Sequence, residues 1–143
     1  MQNFDYQTPT RLIFGKGVIE ELPEVMKQFG KRILLSYGSG SVLDCSKAIA
    51  AGAKYEGDPW DLITYKVKAK EALPIVDIIT LAATGSEYDA GGVISRTETN
   101  DKTGYSDPLL YPVVSFLDPV YTFSVSKKQT AAGCADAMNH IFE

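Results

Sequence analysis

The sequence is poor in residues that staple or anchor a chain. It holds two cysteines, Cys45 and Cys134, one tryptophan and a single histidine, His140, in 143 residues. The cysteines could pair in principle, but each lies in a helical pattern among small residues. Both are expected to be reduced and buried, and a disulfide-built secreted scaffold is excluded. No apolar run approaches the ~20 residues needed to cross a bilayer, and no basic-then-apolar leader is seen, so a cytoplasmic location is expected. An excess of positive charge is missing too. Net charge is −4 and Lys127-Lys128 is the only adjacent lysine pair, which argues against a nucleic-acid or membrane surface. Solenoid repeats and low-complexity tracts are absent. What remains, 45% hydrophobic and 22% charged residues, is enough to bury one core.

The chain is organised around residues 32 to 53. A short apolar run, Ile33-Leu34-Leu35-Ser36-Tyr37, is followed by Gly38-Ser39-Gly40-Ser41 and then by a segment that puts Val42, Cys45, Ile49 and Ala53 on one helical face. Strand, glycine loop and helix in that order suit a phosphate, because the first N–H groups of a helix lack partners and its macrodipole is positive there. Ser41 fits the N-cap, with Asp44 at the third helical position. Two fingerprints are lacking. G-x-G-x-x-G would need glycine where Leu43 stands, and no Gly-Lys-Ser/Thr of a P-loop is present, so a plain structural turn stays an equal reading.

In chain order, residues 4 to 15 are β-like, and Pro9 makes them an edge strand or hairpin. Val18 to Phe29 spaces Ile19, Leu22, Val25, Met26 and Phe29 as a helix that ends at Gly30. Gly57 to Asp61 predicts a turn into a short helix, and Lys66 to Glu71 a charged connector. Ile75-Val76-Asp77-Ile78-Ile79-Thr80-Leu81 predicts a buried strand that enters a second small-residue loop, Ala82-Ala83-Thr84-Gly85-Ser86-Glu87. An irregular polar region is expected from Gly91. Val113 to Leu117 gives a third apolar strand, and Gln129 to Glu143 an alanine-rich helix. The fold class expected is therefore α/β: a mostly parallel sheet of Ile33–Tyr37, Ile75–Leu81 and Val113–Leu117 with an N-terminal edge hairpin. Both Gly/Ser loops follow strands, so Gly40, Ser41 and Thr84 should face one crevice at the carboxyl edge.

On the last helix Asp136 and His140 are four apart and project from the same side. The spacing suits two ligands of one divalent metal. Spacing alone favours a solvated Asp-His contact, because such a site normally needs at least three protein donors.

These segments together resemble the iron-containing alcohol dehydrogenase family, in particular its butanol-dehydrogenase-like members, nearly end to end. Phe4 to Gly17 is similar to the family's opening hairpin. Ser39 to Ala48 resembles its Gly-Gly-Ser…Asp…Lys nucleotide loop, with Ser39 in a glycine position. Thr80 to Glu87 resembles its Ala-Thr-Gly-Ser-Glu signature, Phe116-Leu117-Asp118-Pro119 its strand ending, and Ala131-Ala132-Gly133 through Asp136 and His140 its metal-binding helix.

The resemblance implies a partial Rossmann-like domain over residues 1–128 and, over 129–143, the first metal-ligand helix of a helical second domain. It implies NAD or NADP as cofactor, with Gly40 and Ser41 at the pyrophosphate, Thr84 in contact with the cofactor and Lys102 at its ribose. Asp136 and His140 would be two ligands of Fe²⁺ or Zn²⁺, and the substrate a small alcohol or aldehyde; a homo-oligomer is left open. Two departures are visible. The family's two further ligand histidines belong to a domain beyond Glu143. Its strand-helix-strand passage between the first strand and the nucleotide loop is also missing, which suggests a shortening near 38–39. The chain is therefore expected not to turn over alcohols alone.

Overall fold

The computed structural model describes residues 8–142. Four strands form one parallel sheet in the order β1-β6-β3-β2: β1 (Arg11–Phe14), β2 (Leu34–Gly38), β3 (Ile75–Ile79) and β6 (Val114–Leu117). The central strand β3 is buried at all five residues, as its apolar run requires. β1 is an edge strand, as Pro9 indicated. It runs parallel to β6, and the other arm of the expected hairpin, residues 4–7, lies outside the described residues.

Residues paired in register share a face of a parallel sheet. On one face Val76, Ile78, Val114, Phe116 and Ile13 pack under Val25 of α1 (Leu22–Lys27), which continues a 3₁₀ turn over Val18–Glu21. Ile19, Leu22, Met26 and Phe29 join them, as the helical spacing predicted. On the other face Ile75 and Ile79 pack under Leu43 and Ala50 of α2 (Gly40–Gly52). Between those isoleucines runs a polar row, Ser36-Asp77-Ser115, in register across three strands. Burial of apolar surface, favourable by about 25 cal/mol per Å², is what holds both layers to the sheet.

The segment from Gly91, expected to be irregular, is instead a hairpin: β4 (Gly91–Arg96) antiparallel to β5 (Asp101–Ser106). Its two leading glycines and polar composition hid the alternation. The hairpin lies along α2, so closely that a Cβ on Gly92 would stand 3.0 Å from the Cβ of Asp44. α3 (Trp60–Ile63) follows the Gly57–Pro59 turn, and a third cluster, Ala51, Ile63, Tyr105 and Leu110, closes the gap between α2, α3 and the hairpin. The last helix, α4 (Lys127–Phe142), is exposed along its length except at Gly133, which is buried, and Asp136, which is half-buried.

Candidate functional site

The strand-loop-helix unit forms as the sequence indicated, with one shift. The N-cap of α2 is Ser39, in extended conformation and without a side-chain cap bond, so Ser41 is the second helical residue and Asp44 the fifth. Helix geometry accounts for the shift: the N–H groups of Val42 and Leu43 both return to the Ser39 carbonyl, at 3.0 and 3.1 Å. The N–H groups of Gly40 and Ser41 find no acceptor among the described residues. They point away from the helix at its positive end.

Opposite them stands the loop after β3. A Cβ placed on Gly40 would fall 2.1 Å from Thr84 Oγ1, so only glycine allows the helix start to approach Thr84 this closely. Gly40, Ser41 and Thr84 therefore share one edge of the sheet. The same loop is gripped from its other side by α4, where a Cβ on Gly133 would lie 2.8 Å from the Ala82 carbonyl oxygen. Two close approaches thus hold this loop, the Thr84 side chain against α2 and the Ala82 carbonyl against α4.

A buried cluster that the sequence reading did not assign positions the rest of this loop. The Lys47 side chain is 0% exposed. Its Nζ donates to the Ser86 carbonyl (2.8 Å), Ser86 Oγ (3.0 Å), Asp89 Oδ1 (2.7 Å) and the Gly91 carbonyl (2.7 Å). Asp44, far from the helix start where a capping carboxylate was expected, accepts from Ser86 Oγ at 2.7 Å and from Val93 N–H at 3.0 Å. The Tyr105 hydroxyl donates to the Asp44 carbonyl, and burial, with the Asp44 carboxylate adding, pushes that phenol well above its usual range. Lys47 lies four after Leu43 and three before Ala50, a spacing that marks it as inward only once the buried face of α2 is known.

Lys102 is not brought to the loops. It pairs with Ser95 near the turn of the hairpin, next to Arg96, which reaches Asp58 at 3.4 Å and stacks on Trp60, the first residue of α3. A cavity of about 350 Å³ lies between Leu62, Tyr65, Val67, Tyr105 and Leu110, and neither Gly40, Ser41 nor Thr84 lines it.

Asp136 and His140 do share a face of α4, with Oδ1 and Nε2 3.9 Å apart. Among the described residues no third histidine, cysteine, aspartate or glutamate joins them in a metal-binding group. The donor set present is thus short of the three that a divalent site normally requires. Both cysteines are exposed, contrary to expectation. Cys45 sits about 100° around α2 from the inward-facing Ser46, and Cys134 lies beside Gly133, the one buried residue of α4 among those described.

An open parallel sheet with a glycine loop and a hydroxyl-rich loop meeting at its carboxyl edge belongs to the class of α/β domains whose ligands bind in the crevice outside the strand ends. Residues 33–119 match the family described as iron-containing alcohol dehydrogenase, and the chain belongs to that family. It is 40% identical to the probable NADH-dependent butanol dehydrogenase 1 of Bacillus subtilis over 201 aligned positions, covering 100% of this chain and 52% of the relative. It is 33% identical to the NADPH-dependent aldehyde reductase YqhD of Escherichia coli, again over 100% of this chain and 52% of the relative. The crystal structure of NADH-dependent butanol dehydrogenase A from Thermotoga maritima superposes with a TM-score of 0.91 at 32% identity, covering 100% of this chain and 51% of that one. The chain thus spans about half the length of these relatives. The 201 aligned positions against 143 residues here also leave 58 positions of the Bacillus protein without a counterpart inside the matched span. Among the described residues no helix is long and apolar enough to cross a membrane.

Proposed function

We propose that the chain carries the cofactor-binding part of a metal-dependent, NAD(P)-linked alcohol dehydrogenase acting on small alcohols or aldehydes in the cytoplasm, and that alone it binds nucleotide weakly without turning alcohol over. One observation carries this reading: the N–H groups of Gly40 and Ser41 lack acceptors among the described residues at the start of a 13-residue helix, where Gly40 is buried against Thr84 and Ser41 is exposed. A diphosphate suits that place, since backbone donors and the helix dipole favour an anion, and the glycine brings the Thr84 hydroxyl up to the same helix start. Thr84 offers a hydroxyl to the same group. Lys102 is assigned to the ribose by family likeness, and reaching it would require the hairpin's outer end to approach the cofactor.

The hydride chemistry belongs to the nicotinamide when bound. What these residues do is hold the pyrophosphate and fix the Ala82–Thr84 loop against it. Asp136 and His140 are proposed as two ligands of Fe²⁺ or Zn²⁺, but they do not make a catalytic centre, and no catalytic step is assigned to them. We place the 58 unmatched positions at the Gly38–Ser39 junction, where β2 passes into α2 with no element between.

NADH and NADPH titrations followed by fluorescence test the cleft. Saturable binding is expected. Gly40→Val, whose side chain would meet Thr84, should weaken it roughly tenfold, about 1.4 kcal/mol. An unchanged affinity in a folded Gly40→Val variant would remove the cofactor assignment. Alcohol-dependent NAD(P)H formation with added Fe²⁺ or Zn²⁺ is expected to be absent, and turnover by this chain alone would refute the claim of an incomplete site.

A further inference from the structure

α3 ends in a conformation that its own residue does not favour. Tyr65 has a φ of +58°, in the left-handed region where the residue that stops a helix is usually glycine. Its N–H donates to the Leu62 carbonyl at 3.2 Å and the Val67 N–H to the Asp61 carbonyl at 3.2 Å, so the chain turns back as at an ordinary helix end. Glycine would make that turn freely, whereas a tyrosine in it is strained. What the tyrosine adds is reach. Its hydroxyl accepts from the Ser106 N–H at 2.7 Å and lies 3.5 Å from the Ser106 carbonyl, which latches the segment after α3 to the end of β5.

The latched ring forms one wall of the cavity of about 350 Å³. Ala51, Ile63, Tyr105 and Leu110, all buried members of one core cluster, also line it. A lining this apolar gives water few partners, and a dry void forfeits the contacts that fill a core, so an apolar guest gains by entering. The size lies at the lower end of the range of small-molecule pockets.

Charge at the mouth selects the guest. The carboxylates nearby are engaged: Asp61 with Lys66 at 3.3 Å, Glu71 with Lys54 at 3.2 Å, and Asp107 with the Leu109 N–H at 3.0 Å. Lys68, which lines the same cavity, is exposed and forms no ion pair among the described residues. We infer that this cavity binds a medium-chain carboxylate, with its apolar chain against Leu62, Val67 and Leu110 and its head at Lys68. Opening the latch relieves the strain at Tyr65, which lowers the cost of entry. Ala51 lies eleven residues along α2 from Gly40, roughly 16 Å at the rise of a helix, so the site is separate from the nucleotide loops and does not depend on that reading.

Calorimetric titration of the whole chain with octanoate, and with 1-octanol as the uncharged control, tests this. Saturable binding of one octanoate per chain is expected, tighter than that of octanol. Lys68→Glu turns attraction into repulsion and should weaken octanoate roughly tenfold while leaving octanol unchanged. Ala69→Phe fills the half-buried mouth and should abolish binding of both. Lys68 is exposed, so its reversal leaves the fold intact and decides the matter even where Ala69→Phe does not fold. Absence of octanoate binding, octanol binding as tight as octanoate, an octanoate affinity unchanged by Lys68→Glu, or binding that survives in a folded Ala69→Phe variant would each overturn the inference.

Discussion

Asp77 sits in the middle of a strand whose other four residues are isoleucine and valine, and it is 1% exposed. Ser115 Oγ donates to its Oδ2 at 2.5 Å, while Oδ1 has no partner among the described residues. Burial pushes its pKa up to about 7; the Ser115 bond opposes that, the Glu87 charge adds to it, and the Lys47 ammonium opposes it. The folded state thus holds a proton that the unfolded chain releases near pH 4. A raised native pKa contributes stability that is fully present below the unfolded value and is lost as pH rises through the folded one. This residue alone should therefore make the protein less stable from about pH 4 to about pH 7, by at most about 4 kcal/mol, with no further change above. Asp77→Asn should flatten that slope and raise the melting temperature at pH 8 relative to the parent. Melting curves at pH 5 and pH 8 check it, and a parent and variant that shift in parallel would contradict it.

At the scale of elements, α2 carries separate tasks on separate faces. Leu43, Ser46 and Ala50 meet the sheet, where Ser46 Oγ reaches Ser36 Oγ at 3.1 Å. Asp44 and Lys47 meet the Ser86–Gly91 segment, while Val42 and Ile49 are left exposed. The Lys47 face holds the loop that Gly40 touches. Lys47→Met keeps the aliphatic stem but leaves the Ser86 and Gly91 carbonyls without their buried donor, and should cost about 2–4 kcal/mol. Asp89→Asn should cost about 1 kcal/mol or less, since the Asp89 side chain is 54% exposed and regains water. Urea unfolding of the two variants compares these costs directly. Equal losses would mean that the ion pair, and not the buried carbonyls, makes Lys47 matter.

For the whole molecule, α4 is joined to the body chiefly through Gly133, and its Asp136-His140 face is about half exposed. Two donors on one open helix leave the remaining coordination positions of an ion to water and give no enclosure to fix its geometry. Fe²⁺ or Zn²⁺ should therefore bind weakly and be lost on dialysis. Calorimetric titration measures this, and tight stoichiometric binding abolished by His140→Ala would show that further donors reach the site.

Periodicity and breakers in the sequence determined which segments become strands and helices: β3 from an unbroken apolar run, α1 from residues spaced three and four apart, and α2 from a glycine loop after a strand. These are local matters of backbone sterics and burial, so short stretches suffice to specify them. The meeting of Gly40 with Thr84 was legible too, because loops after parallel strands share an edge. Only the tertiary structure decided which side of α2 faces inward. On α2 the apolar face of Val42, Cys45 and Ile49 stays exposed while Lys47 is buried, because the side covered depends on where the hairpin and the sheet lie. The hairpin itself was hidden for the same reason. Its strands gain their stability from packing along α2, with Gly92 against Asp44, and a stretch led by two glycines carries no local sign of a partner that distant in sequence.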